Sequence, residues 1–176
     1  WTPLHFASEN GHIEAVSLLL DHNAKVDAKT KTGWTALHAS SFIGYPDVVE
    51  YLLEKNAPVD IRDDEEWTAL HAASHNGHTE VASILLQNGA SANARDNDDW
   101  IPLHYAARHG HSSVIIELLN HHRMVSRKNT WTPIHLACYG GHKSIIERLM
   151  KSDHFEINSR ASTNTNSQND YLIDLN

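Results

Sequence analysis

Cysteine is nearly missing from this sequence: Cys138 is the only one in 176 residues, so no internal disulfide can form. Asn-x-Ser/Thr acceptor sites are missing as well. Both features fit a reducing, intracellular setting, with the cytoplasm favoured over the nucleus. No apolar run approaches the ~18 to 20 residues that a membrane-crossing helix needs. The first twenty positions hold no charged segment followed by an apolar stretch and a small-residue cleavage site. No secretory leader and no direct membrane insertion are expected. Basic residues are also sparse, 14 Lys and Arg against 22 Asp and Glu, for a net charge of −8. Binding duplex nucleic acid requires a basic stripe that neutralises phosphates, and the cations here are scattered, so a nucleic-acid partner is excluded. A glycine-rich phosphate loop, a nucleophile elbow and a His-Glu-x-x-His helix are all absent. Neither catalysis nor a cofactor is expected.

What the chain does contain is a repeat. Trp1-Thr2-Pro3-Leu4-His5 returns as Trp34-Thr35-Ala36-Leu37-His38, Trp67-Thr68-Ala69-Leu70-His71, Trp100-Ile101-Pro102-Leu103-His104 and Trp131-Thr132-Pro133-Ile134-His135, in steps of 33, 33, 33 and 31 residues. A glycine follows at fixed offset, in Gly11-His12, Gly44-Tyr45, Gly77-His78, Gly110-His111 and Gly141-His142. Apolar clusters such as Leu18-Leu19-Leu20 and Ile84-Leu85-Leu86 keep the same register. Each copy reads as a short helix, a glycine turn, a second helix and a loop. Thr suits the N-cap, and Pro or Ala follows at the first helical position, where a missing N–H costs nothing. Ile101 replaces Thr once, which predicts a weaker cap. Ile13, Val16, Leu19 and Leu20 form one apolar stripe at helical spacing. A unit this small buries such a stripe only against its neighbours, so the expected fold is an all-α solenoid.

The period and the Thr-Pro-Leu-His-x-Ala signature resemble ankyrin repeats over residues 1–158. That resemblance implies helix pairs with a β-turn finger, stacked so that fingers and first helices form a concave surface that binds proteins. The expected units are residues 1–29, 30–62, 63–95, 96–126 and 127–158. Residues 159–170, nearly all Ser, Thr, Asn and Gln, read as a polar loop or insertion, and residues 171–176 as the start of a degenerate sixth copy. The chain lacks an initiator Met and opens inside the motif, which suggests a segment of a longer protein. Glu66, Asp99 and Thr130 stand where Gly33 precedes its Trp, so reshaped finger turns are expected there, and a shorter loop at 127–130 predicts a stubbier fourth finger.

Nine of the fifteen histidines are periodic. They read as hydrogen-bonding braces, and the pair His121-His122 lacks partners at metal-ligand spacing, so no metal is expected. Cys138 falls where other copies carry Ser8, Ser41, Ser74 or Ala107, which predicts a packed thiol. The acids 63–66 and Asp96, Asp98 and Asp99 fall in fingertip loops as solvated carboxylates, a negative rim able to attract a basic partner segment. The periodic Trp residues suit either interface hot spots or packing between fingers. By the resemblance, residues before the turn glycine lie on the concave side, and there Phe42-Ile43 is wholly apolar. The expected protein-binding residues are Trp34, Phe42, Ile43 and Trp67 at the centre, with His75, Trp100, Arg108, Trp131 and Tyr139 around them. Phe6 and Tyr105 extend the strip. The expected function is a protein-interaction module, monomeric as an isolated segment. The alternatives are a substrate-recognition arm of an enzyme or ubiquitin-ligase-type chain, and a structural spacer.

Overall fold

The computed structural model describes residues 1–121 and 132–151. Among them are ten helices and no strand: α1 (Pro3–Glu9), α2 (Ile13–Asp21), α3 (Ala36–Ile43), α4 (Pro46–Glu54), α5 (Ala69–Asn76), α6 (Thr79–Gln87), α7 (Pro102–His109), α8 (Ser112–His121), α9 (Pro133–Tyr139) and α10 (Lys143–Lys151). Each odd-numbered helix packs on its successor. The odd helices also stack in one row, α1 to α9, and α2, α4, α6 and α8 stack in a second. The result is the helical solenoid that the spacing predicts.

The motif residues place each first helix. Thr2, Thr35, Thr68 and Thr132 take extended N-cap conformations, with Pro or Ala at the first helical position. Two residues past that position, the Nδ1 atoms of His5, His38, His71 and His135 accept the N-cap N–H at 3.1 to 3.2 Å. The Thr hydroxyls donate to the same nitrogens. An accepting Nδ1 leaves the ring proton on Nε2. That N–H donates to the backbone oxygens of Trp34, Trp67 and Trp100, at 3.0, 3.0 and 3.2 Å, each in the following repeat. At α7, Ile101 supplies no hydroxyl, but His104 Nδ1 still accepts its N–H at 2.9 Å. The weakened cap therefore keeps its imidazole half.

The turn glycines serve the opposite direction. Gly44, Gly77 and Gly110 close their helices in the left-handed region. The rings of His78, His111 and His142 lie against them and donate from Nε2 to the oxygens of Phe42, His75 and Arg108 in the preceding repeat. A Cβ on Gly77 would lie 2.4 Å from His111 Nδ1, so this position needs glycine for space as well as for φ.

Leu37, Leu70 and Leu103 on the first helices and Leu52, Leu85 and Leu118 on the second are at most 1% exposed and form the core. Small residues let the stacked first helices approach, and the hydroxyls of Ser8, Ser41 and Ser74 are buried with no hydrogen-bond partner. Cys138 departs from this pattern. It is exposed on α9, not packed.

Candidate functional site

The fingers before Trp34, Trp67 and Trp100 are tight hairpins. Asp63 N–H donates to Trp67 O, Asp96 N–H to Trp100 O and Thr30 N–H to Trp34 O, at 2.8 to 3.0 Å. The residue before the Trp is left-handed in all three: Gly33 at φ 81°, Glu66 at 61° and Asp99 at 65°. The expected reshaping is therefore absent. Glu66 and Asp99 adopt the glycine conformation, and neighbouring arginines hold them there. Arg62 Nη1 reaches Glu66 O and its carboxylate, and Arg95 Nη1 donates to Asp99 O at 2.8 Å. The fourth finger, at 127–130, lies outside the described residues.

Asp63 and Asp96 correct the view of the fingertip acids as uniformly solvated. Each is only 8% exposed. Asp63 Oδ1 accepts the N–H groups of Glu65 and Trp67, and Oδ2 accepts the indole N–H of Trp34 at 2.8 Å. Asp96 Oδ1 accepts the N–H groups of Asp98 and Trp100. Its Oδ2 accepts the Tyr105 hydroxyl at 2.6 Å and the Trp67 indole N–H at 3.2 Å. Burial raises the Asp96 pKa above its ordinary value against these hydrogen bonds, and burial with the adjacent Asp96 carboxylate pushes that of Tyr105 far up. One sequence signal marks this arrangement: Thr30, Asp63 and Asp96 each stand four residues before a Trp.

The rings form a continuous strip along the finger and first-helix side. Trp34 meets Phe42 edge-on at 5.4 Å, and Phe42 stacks on His75 at 6.1 Å. His75 lies 5.6 Å from Trp67, Trp67 meets Tyr105 at 4.8 Å, and Tyr105 lies 5.0 Å from Trp100. The Arg108 guanidinium sits 5.6 Å over Trp100. This brings together six of the nine expected binding residues, and Ile43 follows Phe42 in the chain. Trp34, Phe42, Trp67, His75 and Arg108 are half-buried, and Ile43 is exposed. Trp100 differs: it is 9% exposed and mostly consumed by packing. Tyr105 is likewise buried and forms a floor rather than an exposed extension. Tyr139 on α9 is exposed and Trp131 lies outside the described residues. Phe6 is exposed beside Trp1 at the other end.

Between the second and third fingers the strip opens into a cleft of about 400 Å³, whose lining includes Trp34, Trp67, Tyr105, Glu65 and Asp98. Repeating His-to-carbonyl bridges, left-handed finger turns and stacked helix pairs agree with the sequence comparison. A family model described as ankyrin repeats (3 copies) matches residues 1–63 and 44–129, and one described as ankyrin repeat matches residues 129–162. The chain belongs to the ankyrin-repeat family. No curated protein matches this ankyrin array. No helix of the described residues is long and apolar enough to cross a membrane.

Proposed function

We propose that this ankyrin array binds a basic segment of a protein partner along the ring strip and carries out no chemistry itself. Ankyrin repeats are in general protein–protein interaction modules. The observation that carries the finer reading is the strip itself. Half-buried Trp34, Phe42, Trp67 and His75 run unbroken across two repeats, exposed Ile43 stands beside them, and Asp64, Glu65 and Asp98 are exposed on the neighbouring fingers. Rings fixed by packing lose little entropy on binding, and the adjacent acids speed encounter with a cationic segment. Interstrand-type bonds between fingers, Asp64 N–H to Thr32 O and Asn97 N–H to Glu65 O, hold the rim in place.

The test is capture from a cell lysate with the native array and a Phe42→Glu/Ile43→Glu double variant of equal helical content, followed by cross-link mapping. A protein retained by the native form, lost by the variant, released by salt and cross-linked beside the second and third fingers supports the reading. Equal retention by both forms overturns it. In the same reading the array is monomeric, and the setting is intracellular.

A further inference from the structure

We infer that the cleft between the second and third fingers is a receptor for an alkylammonium group, the end of a lysine side chain in plain or methylated form. This rests on the reading of the strip as a site for a basic protein segment and names the group that enters it.

Three aromatic side chains line the cleft, Trp34, Trp67 and Tyr105. Their polar edges are engaged within the protein: the Trp34 indole N–H with Asp63, the Trp67 indole N–H with Asp96 and Tyr105, and the Tyr105 hydroxyl with Asp96. The rings therefore have no hydrogen to offer an incoming anion, whereas ring faces attract cations. The inner carboxylates strengthen that preference in an unusual way. Asp96 accepts four hydrogen bonds and Asp63 three, so they supply negative charge close to the cleft but almost no accepting capacity. Glu65 and Asp98, both exposed, add charge at its edge.

Among the described residues, the arginines beside the fingers make contacts of their own. Arg62 and Arg95 donate to Glu66 and Asp99, and Arg108 covers Trp100. That last contact shows the same kind of pairing already made once within the array. A guanidinium brings five donors that need acceptors in its plane, and the two inner carboxylates, Asp63 and Asp96, have almost no accepting capacity left for them, which leaves only Glu65 and Asp98 at the edge. An ammonium needs fewer, and a methylated ammonium fewer still, so the methylated form binds at least as tightly as the plain one.

The probes are tetramethylammonium chloride and the capped pentapeptide Ala-Ala-Lys-Ala-Ala, with its trimethyl-lysine and norleucine counterparts. The readout is the set of tryptophan indole N–H signals by NMR, assigned through single Trp→Phe variants. The expected result is saturable shifts of the Trp34 and Trp67 signals, with the norleucine peptide weaker than the lysine peptides by about five-fold. Glu65→Gln/Asp98→Asn, changed only at exposed positions, weakens all three charged probes, and added salt does the same. The trimethyl-lysine peptide is expected to bind at least as tightly as the lysine peptide, and tighter binding of plain lysine overturns the acceptor argument. Equal shifts with norleucine, or shifts no larger at Trp34 and Trp67 than at Trp1, overturn the proposal. Partner capture that survives loss of ammonium binding leaves the wider strip intact and rejects only the cleft. Ammonium binding without a captured partner does the reverse.

Discussion

Lowering the pH from 7.5 to 5.5 perturbs the array through its bridging histidines, and His71 lets the size be worked out. Its ring is buried between Thr68 and Trp100 O, with Nδ1 accepting and Nε2 donating. Burial holds its pKa down at about 3, against an ordinary 6.5, with the nearby backbone bond only partly opposing. A depressed histidine pKa means that the unfolded chain binds the proton first. The contribution is complete above pH 6.5 and is lost between 6.5 and about 3. At pH 5.5 the unfolded state gains RT ln(1 + 10), so His71 alone removes about 1.4 kcal/mol of stability. Burial also lowers the pKa values of His5 and His38, which act with the same sign. With a urea slope of ~1 to 3 kcal/mol per molar, the His71 share alone lowers the midpoint by roughly 0.5 to 1.4 M at pH 5.5. The assay is urea unfolding by tryptophan fluorescence at fixed ionic strength, for the native array and His71→Gln. Glutamine retains an acceptor for the Thr68 N–H but loses the bridge to Trp100, so the variant is weaker at pH 7.5. Its deficit then shrinks by about 1.4 kcal/mol at pH 5.5, because it has no imidazole to protonate. Parallel stability curves for the two proteins would refute the reasoning.

Two glycines separate backbone strain from crowding. Gly77 and Gly89 are both left-handed, but a Cβ meets His111 at the first and nothing within 4 Å at the second. Gly89→Ala should therefore cost about 1 kcal/mol and Gly77→Ala at least twice that in the same denaturation assay. Ser74→Ala removes a buried hydroxyl that has no partner, and thermal unfolding should show it unchanged or up to about 1 kcal/mol more stable. Asp96→Asn places an amide where all four contacts arrive as donors. Whichever way the amide turns, two donors face it, and unfolding should register a loss of about 2 to 3 kcal/mol.

Register was the most legible property, because a helix start needs few residues: Thr, Pro or Ala, and a His at fixed offset place α1, α3, α5 and α9. The role of the histidines as braces was legible for the same reason. The finger turns were misread because a missing glycine suggests a changed backbone, whereas Glu66 and Asp99 tolerate the left-handed region with arginine support. Asp63 and Asp96 looked like solvated acids since composition counts charge without distance. Only their place four residues before a Trp distinguishes them from Asp64 and Asp98. Tyr105 was misjudged because its slot varies among the first helices, with Phe6, Ala39, Ala72 and Leu136 at the equivalent positions, and a variable slot gives no indication of whether a large ring fills a gap or faces outward. Which rings stay half-exposed depends on contacts across 29 to 38 residues that no local pattern contains.

The imidazole bridges run in both directions along the chain, from first-helix histidines to the next unit and from turn histidines to the previous one. Every interior unit is thus stitched by its own side chains and by those of both neighbours, and only the first seam, where Tyr45 replaces the turn histidine, lacks the backward bridge. Cutting out part of a unit strands carbonyls on one side and rings on the other. Removing or inserting a whole 33-residue unit rejoins equivalent partners. The length of such an array is therefore adjustable only in integer steps, and whole-unit duplication is the route by which its reach can change without a new fold.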